Sequence, residues 1–137
     1  MTTHRVVLDT NILLDLLYFK DPSIKSLQEG IETGLLEVWS CEAIFEEYTD
    51  VIGREQFKMS TEEQENLSQA FQKLHEGTFT NPLKSAPFKC SDKDDQIFLD
   101  LALSLAPCIL ISKDKQVLKL KSAAKVFDVF ILRQFEM

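Results

Sequence analysis

The stretch Arg5-Val6-Val7-Leu8-Asp9, followed by Thr10-Asn11, constrains this chain more than any other. Val6, Val7 and Leu8 are an unbroken apolar run. Successive strand side chains point to opposite faces, so the run predicts a strand covered on both, as central strands of parallel sheets are. It stops at a carboxylate, and Ile12 to Phe19 then has the length and leucine content of a helix. A strand, an Asp and a helix in succession present the carboxylate at the carboxyl edge of a sheet, where open α/β folds place their sites. Asp9 also suits the plainer role of a helix N-cap. These residues alone leave both roles open.

At 137 residues the chain is read as one domain over 1–137, long enough to bury about two-thirds of its unfolded surface without staples. Cys41, Cys90 and Cys108 are an odd number without paired spacing, which supports neither a disulfide framework nor a zinc site. Together with a strand that starts by residue 5 and leaves no room for a signal peptide, this predicts a reducing, cytoplasmic setting and no membrane segment. The net charge of −7 opposes wholesale binding of nucleic acid, because phosphates are held by Lys and Arg. The charge is uneven, however. Residues 28–76 hold twelve acids against three Lys/Arg, whereas 113–137 hold six Lys/Arg against three acids. A solvated helix face is the usual fate of such charges and accounts for the basic end; a local basic rim beside an acidic centre is the alternative.

Further along, Ile24 to Ile31 reads as an amphipathic helix and Leu35 to Ser40 as the next strand. Ser40 is placed to cap a third helix from Cys41 to Ile52, whose apolar stripe is Ile44, Phe45, Tyr48, Val51 and Ile52. At about 100° per residue, Glu47 lies at the edge of that stripe, while Glu46 and Asp50 fall opposite it, towards water. Ser60-Thr61-Glu62-Glu63 opens a helix as a capping box does, with Gly77 as its end and an irregular connection from Thr78 to Cys90. Ser91 to Asp95 leads into a largely apolar helix from Gln96 to Ala106, on which Asp95 lines up with Phe98, Leu99 and Ala102. Asp92 and Asp94 compete with Asp95, Asp92 as a cap and Asp94 through its alignment with Ile97 and Leu101. Cys108 to Ser112 repeats the opening pattern and ends at Lys113-Asp114; Gln116 to Lys121 reads as a short helix and Val126 to Ile131 as a last strand containing Asp128. Strands alternating with helices predict an α/β three-layer sandwich with a mostly parallel sheet of four to five strands and helices on both faces.

Asp9 and Asp114 both end apolar strands, Asp95 begins a buried helix and Glu47 edges another. Four carboxylates gathered in a small volume do not all stay ionised without a cation. An all-oxygen set suits Mg²⁺ or Mn²⁺, and His4 and His75 lie outside the pattern. Such a site hydrolyses phosphodiesters with a metal-activated water and needs no side-chain nucleophile. Asn11 and Ser112 are neutral hydrogen-bonders suited to fixing a carboxylate or a phosphate oxygen.

Four ordered segments resemble the motifs of PIN-domain ribonucleases: Val6 to Asn11; Glu47-Tyr48 before Val51-Ile52 and Arg54; Cys90 to Ala102; and Ile111-Ser112-Lys113-Asp114. The similarity runs from residue 5 to about 120 and is closest to the bacterial branch of toxin–antitoxin toxins. It implies a PIN-like sandwich, a Mg²⁺/Mn²⁺ site, cleavage of single-stranded RNA, a homodimer and an antitoxin protein partner. It also implies Asp9, Glu47, Asp95 and Asp114 as the catalytic and metal-binding quartet, with Asn11, Ser112 and Asp92 in support. Two other classes compete: a non-catalytic PIN-like module that binds RNA or protein, and an α/β phosphotransfer protein. Phosphatases with an aspartate nucleophile carry a second Asp where this chain has Asn11, which disfavours the last.

Overall fold

The computed structural model describes residues 3–135. Its centre is a five-stranded, wholly parallel sheet of β1 (His4–Leu8), β2 (Leu36–Ser40), β3 (His75–Thr78), β4 (Cys108–Ile111) and β5 (Val129–Leu132), in the order β3-β2-β1-β4-β5. The helices are α1 (Thr10–Leu14), α2 (Lys25–Glu32), α3 (Glu42–Ile52), α4 (Thr61–Leu74), α5 (Lys93–Ser104), α6 (Lys115–Leu118) and α7 (Lys121–Lys125). The α/β sandwich expected from the alternation of strands and helices is therefore present. Val6, Val7 and Leu8 are all buried. Consecutive residues of a strand point to opposite faces, so both faces of β1 are covered. Leu99, Leu101, Leu110, Ile111 and Ile131 complete the fully buried centre. Among the described residues no helix is long and apolar enough to cross a membrane.

Strand order and register position the site. From β1 the chain builds outward through β2 to β3, then returns to the other side of β1 with β4 and β5. That reversal lies between β1 and β4, and such a switch point opens a crevice at the carboxyl ends of the two strands. Leu8 pairs with Ile111, so the next residues, Asp9 and Ser112, emerge side by side at that crevice.

Several local expectations change. The helix opened by the Ser60 capping box ends at Leu74, and His75–Thr78 forms β3 beside β2. Gly77 is thus a strand residue and not a helix stop. Its polar sequence, His-Glu-Gly-Thr, has no apolar alternation because β3 is an edge. The first helix does not run evenly to Phe19: after Leu14 it widens into a π-helical turn over Asp15–Phe19. Cys41, not Ser40, occupies the N-cap position of α3, and Ser40 is the buried last residue of β2. The helix expected over 116–121 is two short ones, α6 and α7. Asp128 sits in a turn at φ 62° ahead of β5, not within it, since a left-handed turn tolerates Asp where a strand interior does not.

Gly77 is fixed by its neighbour rather than by its torsion angles. A Cβ there would lie 2.5 Å from the far edge of the Trp39 ring. Gly77→Ala is expected to destabilise the protein by about 1–3 kcal/mol, the usual cost of overpacking. In a Trp39→Ala background the same change should be neutral or slightly stabilising, because Ala removes unfolded-state freedom. Urea denaturation of the four chains in this cycle measures the difference; equal costs in both backgrounds would show that the ring is not the cause.

Candidate active site

Asp9 is only 6% exposed at the end of β1 and serves as the N-cap of α1, its Oδ1 accepting from the Ile12 N–H at 3.0 Å. Capping and a place at the strand edge are thus one arrangement. Ser112 is fully buried beside it. The Ser112 side chain hydrogen-bonds the Asp9 carboxylate, and its Oγ accepts the Asp114 N–H at 3.1 Å. One hydroxyl therefore ties together the acids that end the two central strands. Asp114 caps α6 through the Gln116 N–H, and Asp92 caps α5 through the Asp94 N–H.

These residues open on a cavity of about 220 Å³ lined by Asp9, Asn11, Glu47, Asp92, Asp95 and Asp114, together with Thr10, Asp94, Arg54, Gln56 and Phe57 among others. Every residue singled out from the sequence borders it except Ser112, which lies beneath it and holds its floor. Glu46 and Asp50 are exposed, and neither lines the cavity. The larger hollows near the ends of β2 and β3, of about 400 and 580 Å³, contain neither Asp9 nor Asp114.

The acids divide between two walls. Burial raises the Asp9 carboxyl above the usual range, against the hydrogen bonds from Ser112 and Ile12; the charges of Asp114 and Asp15 raise it further. Burial also lifts Asp95, to about 7, with added repulsion from Asp114, Asp92 and Asp9. A side-chain hydrogen bond with Asp114 adds to the rise of Asp95. Glu47 stands on the facing wall. Its carboxyl is raised first by burial and then by Asp94, while Arg54 opposes the rise. Asp94 and Arg54 are the members that sequence reasoning left without a role. Helical spacing from Glu47 could not have placed Arg54, because α3 ends at Ile52 and Arg54 lies in extended backbone beyond it. Arg54 is held by Asp50 at 3.1 Å. Asp94 had only its competing alignment with Ile97 and Leu101.

Among the described residues no three His, Cys, Asp or Glu side chains close into a ready ligand group. The donor chemistry nevertheless fits a hard divalent ion: the set offers carboxylate oxygens alone, with no lysine lining the cavity. Burial first, and then the charges of neighbouring acids, disfavour the ionised forms of Asp9 and Asp95, and a bound cation would favour them. Ser112 gives Asp9 a side-chain hydrogen bond, the kind of outer contact that would orient the carboxylate towards such an ion.

A family model described as PIN domain matches residues 5–116 of the 137, and the chain belongs to that family. No curated protein matches the sequence at a significant level.

The raised Asp95 carries a sign for stability. The native state keeps the proton up to about pH 7, whereas the unfolded chain releases it near 3.8. Over that interval the native state binds more protons, so the stabilisation present at the acid end is lost as pH rises to about 7. In EDTA, the melting temperature of Asp95→Asn relative to the parent is therefore expected to climb between about pH 4 and pH 7 and then level off. A difference that stays flat with pH would mean that Asp95 does not hold its proton in the folded protein.

Proposed function

We propose that this PIN domain is a metal-dependent endoribonuclease that hydrolyses phosphodiester bonds of single-stranded RNA. The observation that carries this reading is the meeting of Asp9, Asp95 and Asp114 at the β1–β4 switch point, faced by Glu47 across one cavity. PIN domains are generally nucleases that use divalent metals, and the carboxylate set has the composition for that chemistry.

Asp9, Asp95 and Asp114 are the residues that would hold Mg²⁺ or Mn²⁺, and Glu47 would hold it or orient the attacking water from the facing wall. The ion would supply Lewis acidity, lowering the pKa of a water and steadying the leaving oxygen. Asp92 and Asn11 border the mouth of the cavity, where they can meet substrate oxygens or a ligand's hydration. Ser112 fixes the Asp9 carboxylate and the Asp114 backbone at once, keeping the two strand ends at one spacing. Arg54 offers a phosphate oxygen its guanidinium, which Asp50 now holds at the rim.

The same site accommodates the toxin reading, with an antitoxin protein blocking the cavity or placing a basic side chain among the acids, and the homodimer is carried over from the family resemblance alone. A cytoplasmic setting accords with three cysteines outside any disulfide. A purely binding module is the competing reading. The complete carboxylate set argues against it, because binding RNA gains nothing from four negative charges facing the phosphates.

The purified protein should cleave a labelled single-stranded RNA in Mg²⁺ or Mn²⁺ and stop in EDTA. Ser112→Ala should lower activity about 10- to 100-fold, the range for loss of a group that supports a metal ligand. Asp9→Asn should lose more than that while circular dichroism shows the fold retained. Glu46→Gln should be near neutral and Glu47→Gln severe. Cleavage that survives in Asp9→Asn, or that persists in EDTA, would overturn the mechanism.

A further inference from the structure

We propose that α6 and α7 form a track for single-stranded nucleic acid leading away from the acidic cavity, with Lys115, Lys119, Lys121 and Lys125 holding phosphates and Phe127 offering its ring to a base. This rests on the nuclease reading above and names where its substrate continues once it leaves the cavity.

The difficulty it answers is electrostatic. A chain of net charge −7, with a cavity walled by carboxylates, repels a polyanion everywhere except where cations are left unneutralised. Residues 115–127 contain four lysines and no acid. All four are exposed, and none forms an ion pair among the described residues, where the pairs are Arg54–Asp50 and Lys113–Asp15. A merely solvating helix face in so acidic a chain interleaves Glu with Lys at i, i+4 spacing. Here both i, i+4 pairs, 115 with 119 and 121 with 125, are Lys with Lys, an arrangement that costs stability unless an anion covers it.

Topology gives the track a direction. Asp114, which lines the cavity, is also the N-cap of α6. β5 runs parallel to β4, with Cys108 beside Val129 and Ile111 beside Leu132. The connection between them must therefore descend the flank of the sheet, from its carboxyl edge to its amino edge. At the lower end stand Val126 and Phe127, 80% and 43% exposed, two of the four large apolar side chains that the described surface leaves open. The Phe127 ring is braced against Phe88, with centroids 5.8 Å apart, and so presents a fixed face. A row of cations ending in an exposed aromatic ring is a combination by which proteins hold single strands without reading sequence.

The test measures binding apart from cleavage. A fluorescein-labelled oligouridylate is titrated into the Asp9→Asn chain in Mg²⁺ over a range of KCl concentrations, with fluorescence anisotropy as readout. Replacing all four lysines by Ala in that chain should weaken binding at least tenfold at low salt. It should also make the dependence of log K on log[salt] shallower by about 0.7 per lysine engaged, roughly 3 in all. Phe127→Ala should weaken binding with the salt slope unchanged, since a ring contributes no counterion release. Binding and slope unaltered by the lysine changes, with circular dichroism unaltered too, would overturn the track while leaving the nuclease reading intact. Equal displacement of the oligouridylate by polyglutamate would assign the lysines to an acidic protein and overturn it likewise. Lysine-dependent binding by a parent chain that never cleaves RNA would uphold the track and overturn the nuclease reading instead.

Discussion

The arrangement at the carboxyl edge of the sheet depends on keeping a carboxylate almost wholly buried at the end of the central strand. Asp9 has few partners for the charge that burial exposes: one peptide N–H from α1 and one hydroxyl from the neighbouring strand. Both come from elements whose positions the sheet itself dictates, because Leu8 pairs with Ile111 and the chain turns into a helix at Thr10. Removing either would leave the acid under-bonded where water cannot replace the lost contact. The fold therefore stores unfavourable electrostatics at the one place where an added cation would be most welcome, a common exchange of stability for function.

Around that point the charges are sorted by distance from the strand ends. Nearest are the carboxyls of Asp9, Asp95 and Asp114; across the cavity stand Glu47 and Asp94; at the rim is Arg54, tethered by Asp50. Lys113 follows Ser112 in sequence yet does not enter the cavity. It pairs with Asp15 at the start of the π-helical turn, which removes a cation that would otherwise compete for the acids. The widened turn is thus part of the electrostatic layout. It places Asp15 where it can hold Lys113 away while adding its own negative charge near Asp9.

What could be read in advance followed burial. Val6 to Leu8, the α3 stripe and the apolar helix α5 are long-range features whose periodicity reports which side faces inward, and they placed Asp9, Glu47 and Asp95 beside one cavity. β3 was illegible because a polar edge strand of four residues has no inward face to signal, and its only conspicuous residue, Gly77, owes its identity to Trp39 from another strand. The role of Ser112 was half-visible. Its type suggested a hydrogen-bonder, but the bridge between Asp9 and Asp114 exists only through strand register. Asp94 shows the opposite failure: the start of α5 offers three aspartates within four residues, and sequence spacing cannot say which wall of a cavity each will meet.

The position of β4 has a consequence for the protein during its own synthesis. β1 and β2 can pair as soon as both have left the ribosome, but the strand on the other side of β1 is made far later, and Asp114 follows Asp9 by 105 residues. Until β4 docks, Ser112 is absent and the Asp9 carboxylate faces solvent. A nascent chain with this strand order carries Asp9 from the outset, yet the carboxylate cavity is assembled only once β4 has docked.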